Sequence, residues 1–181
     1  QCIISDSMKG YQTMVYTAAE AAKQLKILNA KKETLLQKES INSTFVAATI
    51  EDPEALRPDY DYAKTQAELD KLDEQIRRLK HAIAVFNTTT VVEEFNMTVD
   101  QILIYLPQLN NKCEKLNSLR MIPRKARDPF SAHAGNIIDY KYANFDPDKA
   151  AEDYIKTTEL IARAQTALDI VNNTGTIDID L

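Results

Sequence analysis

Apolar residues between positions 69 and 86 recur at alternating spacings of three and four, while charged residues occupy positions between them. This spacing keeps the apolar side chains on one side of a helix and produces a heptad seam of the coiled-coil type. The pattern therefore predicts a helix that packs lengthwise against a partner. The seam consists of Leu69, Leu72, Ile76, Leu79, Ile83 and Phe86.

An earlier amphipathic segment predicts a first helix of matched length. Thr17 and Glu20 have capping-box spacing, in which each side chain accepts a hydrogen bond from a backbone amide at the helix start. The helix is expected to end near Ser40. Each helix has about 24 residues and is roughly 36 Å long at about 1.5 Å per residue. Because the connection is short, we expect an antiparallel hairpin. The stripe of the first helix consists of Ala18, Ala21, Leu25, Leu28, Lys32 and Leu35.

The segments that join the helices predict short strands and a connector. Residues 41–50 are rich in β-branched side chains and lack a helical period, so we expect a strand there. Residues 51–58 contain two prolines and should form a connector. Residues 90–95 and 136–143 also have the character of short strands.

A third helix is predicted from Thr98 to about Met121. Thr98 and Gln101 form a second capping box at its start. Pro107 lies too deep to be a first-turn residue, so we expect it to kink or break this helix. The predicted apolar side consists of Ile102, Leu106, Leu109, Cys113 and Leu116.

A fourth helix is predicted from Asp146 to about Asn172, followed by a stop at Gly175. Asp146 followed by Pro147 combines an N-cap with a proline at the first helical position. Alternation in the tail, residues 176–181, predicts a final strand. The residues expected to point inward are Ala151, Ile155, Ile161, Ala164 and Leu168.

Together these elements predict a mainly α fold with a minor β component. It contains a long antiparallel helical hairpin, two further helices, and a small β element from the connecting segments and the C-terminal tail. We expect residues 1–13 to be an N-terminal extension and residues 14–181 to form a single helical domain.

Composition narrows the class of function. The formal net charge of −5 opposes broad nucleic-acid binding, which depends on an excess of Lys and Arg. No apolar run approaches the roughly 20 residues needed to span a bilayer, and the first 13 residues do not resemble a signal peptide. Cys2 and Cys113 fit no ligand or redox spacing. These features favour a cytoplasmic protein of a bacterium or phage.

Few residues could carry catalysis. His81 lies off the seam and is expected at the surface. Ser131, His133 and Asp128 invite interpretation as a triad, but three neighbours in one loop rarely reach the required geometry. The chain also lacks a glycine-rich phosphate loop and the HExxH and CxxC motifs. We therefore predict a protein that is not an enzyme, with no catalytic residue, metal site or cofactor.

A basic run follows the third helix. Four cations lie within residues 120–127, and aromatic residues follow them. In a net acidic protein this pattern predicts a local anion site, in which guanidinium groups bind phosphate and rings stack on a base. The alternative is a solvated loop, or cations that complete the negative end of the third helix. The candidate ligand-binding residues are Arg120, Arg124, Lys125, Arg127, Phe130, His133, Tyr140 and Tyr142.

The order of several motifs resembles the septicolysin-like proteins, a family of uncharacterised helical proteins from bacteria and phages. The motifs are EDPEAL, IRRLKHAIAVFNTTT, MTVDQIL and ALDIVNNTGTIDIDL, and the resemblance extends from Met14 to the end. It implies an oligomeric helical protein. The family's Ile-Asn-x-Thr-Asn element corresponds to residues 86–89, which adds Asn87 to the candidate ligand-binding residues. The chain lacks the family's Arg-Asp pair in the third helix and its C-terminal Trp.

Two functions from different classes are compatible with these features. The first is a non-catalytic interaction protein that forms a helical homo-oligomer, because one chain covers only one stripe of each hairpin helix. The second is the binding or sequestration of a phosphate-bearing, nucleotide-type small molecule by the basic loop at a subunit junction. Membrane lysis ranks last, because it requires an apolar face exposed to lipid.

Overall fold

The computed structural model describes residues 13–128 and 138–180. These residues form two compact units, one comprising the chain up to Asn87 together with Asn172 onward, and the other Thr88–Val171. A division into compact units does not test whether the parts fold independently, so the single domain stays a prediction. Helices dominate and the strands form small antiparallel pairs, which confirms the mainly α fold with minor β.

The first unit contains a two-stranded antiparallel sheet. Strand β1 (Thr13–Thr17) pairs with β6 (Thr176–Asp180). Ile177 and Ile179 of β6 are buried, whereas Asp178 between them is exposed, as the alternation of side chains in a strand requires. The predicted final strand is thus confirmed, whereas no sequence pattern predicts β1.

Helix α1 (Ala18–Asn42) begins at the predicted capping box. The Thr17 hydroxyl accepts a hydrogen bond from the Glu20 amide at 3.2 Å, and the Glu20 carboxylate accepts one from the Thr17 amide at 2.8 Å. The backbone hydrogen bond from Thr17 lowers the pKa of Glu20. The start of the first helix is therefore confirmed, and its end lies two residues beyond Ser40.

The strand predicted at residues 41–50 is absent. Ile41 and Asn42 end α1, and the rest is irregular up to a turn in which the Glu51 amide donates to the Ala48 carbonyl at 3.0 Å. Val46 and Ile50 are 94% and 97% exposed, so no neighbouring strand covers them. β-Branched composition favours a strand only where a partner strand is present, which explains the wrong prediction.

The predicted connector contains a single helical turn, α2 (Pro53–Leu56), with Asp52 as its N-cap. Helix α3 (Tyr62–Thr89) follows. Lys32 of α1 pairs with Asp73 of α3, and Glu39 further along α1 contacts Gln66 earlier in α3. The two helices therefore run antiparallel, as the hairpin prediction requires. The α3 seam is buried at Leu69, Ile76, Leu79 and Phe86 and half-buried at Leu72 and Ile83.

The second unit opens with a very short β-ribbon. Strand β2 (Val91–Val92) pairs antiparallel with β3 (Met97–Thr98), and a 3-10 turn (Glu93–Phe95) joins them. Asn96 adopts the left-handed conformation (φ 49°), which asparagine tolerates better than most residues. The strand predicted over residues 90–95 is therefore realised only at Val91–Val92.

Helix α4 (Val99–Arg120) is capped by the predicted Thr98–Gln101 box. The helix continues through Pro107, so the expected break is wrong. A proline removes the hydrogen bond to the carbonyl four residues earlier, here that of Leu103. Both residues are exposed, so water can satisfy that carbonyl. The predicted apolar side is confirmed, with Ile102 and Leu109 buried and the other three residues half-buried.

Helix α5 (Pro147–Thr174) starts at the predicted Asp–Pro signal, since the Asp146 carboxylate accepts a hydrogen bond from the Asp148 amide at 3.1 Å. Ile155 is 56% exposed, so its predicted inward position is wrong. Thr157 is buried instead, and burial is tolerated because its hydroxyl donates to the Asp153 carbonyl at 2.7 Å. No helix within the two described ranges is long and apolar enough to cross a membrane.

Candidate functional site

The basic run folds into a two-stranded ladder in the second unit. Strand β4 (Lys125–Arg127) pairs antiparallel with β5 (Tyr140–Tyr142). Two further backbone hydrogen bonds extend the ladder, from the Asp128 amide to the Asp139 carbonyl and from the Ala143 amide to the Arg124 carbonyl. Of the strand predicted at residues 136–143, the described part is therefore a strand only at Tyr140–Tyr142.

The register places four of the predicted site residues on one face of this ladder. Lys125 lies opposite Tyr142 and Arg127 opposite Tyr140, and side chains two apart on a strand share a face. We call Lys125, Arg127, Tyr140 and Tyr142 the ladder face. All four are exposed. Ala126 and Lys141 form the other face.

Aromatic rings hold the Lys125 ammonium on the ladder face. Its Nζ lies 4.0 Å from the ring centroid of Tyr140 and 5.5 Å from that of Tyr142. Both distances are within the range of a cation–π interaction. Neither Lys125 nor Arg127 makes an ion pair within the described residues, and Arg127 therefore has a guanidinium available to an anion.

The positive charge of Arg124, just before the ladder, is already balanced by two carboxylates. Its guanidinium pairs with Asp146 at 2.8 Å and with Asp148 at 2.6 Å, at the start of α5. The hydrogen bond to Asp148, with the charges of both carboxylates, raises the pKa of Arg124 above its ordinary value. An incoming anion would have to compete with two carboxylates, which makes Arg124 the weaker candidate for phosphate binding.

Arg120 lies in the last turn of α4, where a cation complements the helix dipole. Its Cζ lies 4.1 Å from the ring centroid of Tyr154, and its Nε donates to the Asn117 side chain at 2.9 Å. Arg120 therefore fits the structural alternative, a cation at the helix end, better than a ligand contact. The sequence gives no local signal of this stacking, because Tyr154 belongs to a different helix.

The remaining predicted site residues are placed as follows. Phe130 and His133, together with Ser131 of the triad interpretation, lie outside the described residues. Asn87 is near the end of α3 and belongs to the first unit. His81 is exposed, as expected. Within residues 13–128 and 138–180, no group of three or more His, Cys, Asp or Glu side chains is arranged to hold a metal ion.

A second candidate surface lies in the hairpin of the first unit. The stripe of α1 that is buried at Ala21 and Leu28 continues toward the loop as Lys32, Leu35 and Glu39, which are only half-buried. Lys32 Nζ lies 2.5 Å from the Asp73 carboxylate. The Glu39 carboxylate accepts hydrogen bonds at 2.7 Å from the Tyr60 hydroxyl and from the Gln66 amide. The bond to Glu39 raises the pKa of Tyr60 to about 12.

Beside these polar contacts, residues of α1 and α3 line an open groove of about 720 Å³. Its apolar lining comes mainly from Ile27, Leu35 and Leu72. Lys31, Lys38 and Lys71 also line it, with one carboxylate, Glu68. We call this the hairpin groove. This groove is not predicted from the sequence.

The loop between α1 and α3, residues 43–61, carries the opposite charge. It contains five carboxylates and one guanidinium. Phe45 lies beneath the Arg57 guanidinium, 5.5 Å from ring centroid to Cζ, and Arg57 in turn donates to both oxygens of Glu54. We call this segment the hairpin loop. Its apolar side chains include Val46 and Ile50, which are almost fully exposed.

Comparison with known proteins gives one similar fold. No family model matches the chain, and no curated protein matches it. The fold is similar to the crystal structure of a functionally unknown conserved protein from Corynebacterium diphtheriae, with a TM-score of 0.58 and 17% sequence identity. The match covers 91% of this chain and 99% of that one. At this identity the similarity shows the fold alone.

Proposed function

We propose that this protein is a non-catalytic interaction protein that works as a helical homo-oligomer, with the hairpin as its interface. The observation that carries the proposal is the hairpin groove, whose apolar lining from Ile27, Leu35 and Leu72 is open to water. Apolar surface exposed to water is unfavourable by about 25 cal/mol per Å². Binding of a partner that covers the groove is therefore favourable and needs no rearrangement of the hairpin.

Exposed apolar side chains near the groove support the same proposal. Ile27 and Ile41 lie on one side of α1 and are 48% and 74% exposed. Single exposed apolar residues are common on protein surfaces, but a group on one helix is typical of an interaction surface. The septicolysin-like resemblance, which implies an oligomer, and a cytoplasmic location in a bacterium or phage are parts of this proposal.

Light scattering coupled to size-exclusion chromatography tests the proposal. We expect a mass of at least two chains at micromolar concentration. A monomer throughout the micromolar range would contradict it. The absence of catalysis is tested separately by a structure of the region around His133, where a pocket that places this imidazole beside a carboxylate would contradict it.

The ladder face favours a second candidate function, the binding of a phosphate-bearing small molecule. Tyr140 and Tyr142 offer rings for stacking on a base, and Arg127 offers a guanidinium for a phosphate. Because the register brings these side chains to one face, their proximity does not depend on side-chain rearrangement.

Thermal-shift measurements with linear and cyclic nucleotides test this second candidate. We expect stabilisation by at least one nucleotide, and we expect Arg127→Ala to abolish it. Lys141→Ala is the matched control, because it removes a cation from the opposite face of the same ladder. Equal loss in both variants, or no stabilisation by any nucleotide, would exclude the ladder face as the site.

A further inference from the structure

We propose that the hairpin groove of one copy binds the hairpin loop of a second copy, and that the second copy returns the same contact. This inference rests on the proposed homo-oligomer and specifies its interface. The occupant is identified by charge and by exposure. The loop is acidic and has exposed apolar side chains, whereas the groove is lined by lysines and apolar residues.

The groove presents excess positive charge around an apolar floor. Three lysines and one glutamate line it, although the whole chain has a net charge of −5. Lys31, Lys38 and Lys71 make no ion pair within the described residues, whereas the neighbouring Lys32 is paired with Asp73. The groove therefore suits an acidic segment with apolar side chains.

The hairpin loop is such a segment. Its carboxylates outnumber its cations by five to one. Val46 and Ile50 are more exposed than any other large apolar residue described in the structure, at 94% and 97%. Aliphatic side chains of this kind match the Ile27, Leu35 and Leu72 lining of the groove. The same loop therefore supplies both the charge and the apolar surface that complement the groove.

Local contacts hold the loop in one shape before it binds. Glu51 closes a turn, since its carboxylate accepts a hydrogen bond from the Ala48 amide at 2.7 Å while its own amide donates to the Ala48 carbonyl at 3.0 Å. Arg57 fixes Glu54 and covers Phe45. A preorganised loop loses little conformational entropy on binding, which favours association.

One pair of chains can make the proposed groove–loop contact twice. The groove and the loop are on the same hairpin, with Leu35 about seven residues, or roughly 10 Å, from the end of α1. A twofold axis between two antiparallel hairpins brings each loop to the other copy's groove. Such an isologous interface closes on itself and makes each contact twice.

Two other occupants are less compatible with these charges. An anionic membrane would attract the lysines but repel the carboxylates of the adjoining loop. An acidic helix of another protein would fill the groove but leave Val46 and Ile50 exposed. A second copy covers both surfaces at once, so it is the occupant that fits best.

Charge changes in two separate variants test the inference. The groove variant carries Lys31→Glu and Lys71→Glu, so that its groove and its loop are both acidic. The loop variant carries Thr44→Lys, Thr49→Lys, Ala55→Lys and Asp59→Lys, so that the cations of the loop outnumber its carboxylates while the Glu51 and Glu54 contacts are kept. We expect each variant alone to self-associate at least about tenfold more weakly than the wild type, by sedimentation velocity.

The decisive step is to mix the two variants. In a mixed pair, the acidic groove meets the loop with added lysines and the lysine-lined groove meets the acidic loop, so we expect an equimolar mixture to recover association. A third variant with Lys112→Glu and Lys115→Glu reverses two charges at exposed positions of α4 and should associate like the wild type. Circular dichroism checks that each variant is folded. A further variant, Val46→Ser with Ile50→Ser, tests the apolar contribution of the loop to association without changing any charge.

The outcomes separate this inference from the proposed function. A monomeric wild type would overturn both. An oligomeric wild type whose groove and loop variants remain fully associated would overturn the groove–loop contact and leave the homo-oligomer standing. Weakened variants that fail to recover on mixing would also overturn the contact, since complementary charges would then have no effect.

Discussion

The two halves of the helical hairpin differ in the residues that continue one stripe of α1. Near the β1–β6 sheet the stripe contains Ala21 and Leu28, which are buried. Toward the loop it contains Lys32, Leu35 and Glu39, which are half-buried, and Lys32 and Glu39 make polar contacts with α3 and Tyr60. Apolar contacts stabilise the first half, whereas ion pairs and hydrogen bonds align the second half without filling it.

This difference shows how one heptad pattern can serve two purposes. A seam that is apolar on both helices buries surface within the chain. Toward the loop, the polar contacts of Lys32 and Glu39 keep the register of the two helices beside an open groove. The same helix pair thus has a half whose apolar side chains are buried and a half with an open groove, where we propose that a partner binds.

The largest expected effect contrasts Leu28 with Leu35. Leu28 is 4% exposed, so Leu28→Ala should lower the free energy of unfolding by about 3 kcal/mol through lost transfer energy and a new cavity. Leu35 lines the open groove, so Leu35→Ala should cost about 1 kcal/mol or less under dilute, monomeric conditions. Urea denaturation measures both. Equal costs would mean that the two halves do not differ as described.

A smaller effect tests whether helix capping, and not the α1 stripe, makes the two halves of the hairpin differ in stability. Thr17 caps α1 at the sheet end, and Asp61 accepts a hydrogen bond from the Lys64 amide at 3.0 Å at the loop end of α3. Thr17→Ala and Asp61→Ala should each cost about 1 kcal/mol, the usual value for an N-cap. Chemical denaturation compares them. A cost confined to one end would place the asymmetry in the caps rather than in the stripe.

The Lys32–Asp73 pair gives a still smaller effect. Both side chains are about a third to a half exposed, so Lys32→Ala should cost about 0.5 kcal/mol, and raising the salt concentration should reduce that cost. The measurement is denaturation of wild type and variant at low and high salt. A cost as large as that of Leu28→Ala would contradict the view that polar contacts only align this half.

The smallest effect concerns Tyr60 at high pH. Its pKa is raised from 10.0 to about 12 by the hydrogen bond to Glu39, so this contact contributes fully below pH 10 and is lost as pH rises toward 12. In Glu39→Gln the carboxylate charge is absent, and the tyrosine should titrate closer to pH 10. Ultraviolet difference titration, with Tyr60→Phe to identify the signal, measures this. An unchanged titration in Glu39→Gln would mean that Glu39 is not the partner.

Much of the helical framework can be predicted because its signals are local. The boxes at Thr17 and Thr98 and the Asp146–Pro147 start each depend on neighbours within one turn. The seam of α3 repeats over several turns and is equally clear. Strand β1 escapes prediction because its partner is the chain's last described strand, far away in sequence. The wrong strand at residues 41–50 arises because composition does not reveal whether a partner strand exists.

The candidate site is predictable only in part, for the same reason. The concentration of cations and tyrosines is visible in the sequence, and the ladder register does bring Lys125, Arg127, Tyr140 and Tyr142 to one face. The pairing of Arg124 with two carboxylates at the start of α5 is not visible, because in the sequence those carboxylates indicate only a helix start. Compensation of one charge by another depends on tertiary structure, which no local motif encodes.

Hydrogen–deuterium exchange at low and high protein concentration tests the central claim, that the loop half of the hairpin is the interface, most directly. We expect amide exchange in residues 43–56, and in α1 around Lys31, to slow as concentration rises from nanomolar to tens of micromolar. Exchange in the buried sheet half and in α4 should not change. Slower exchange confined to other elements, or no dependence on concentration at all, would contradict the account.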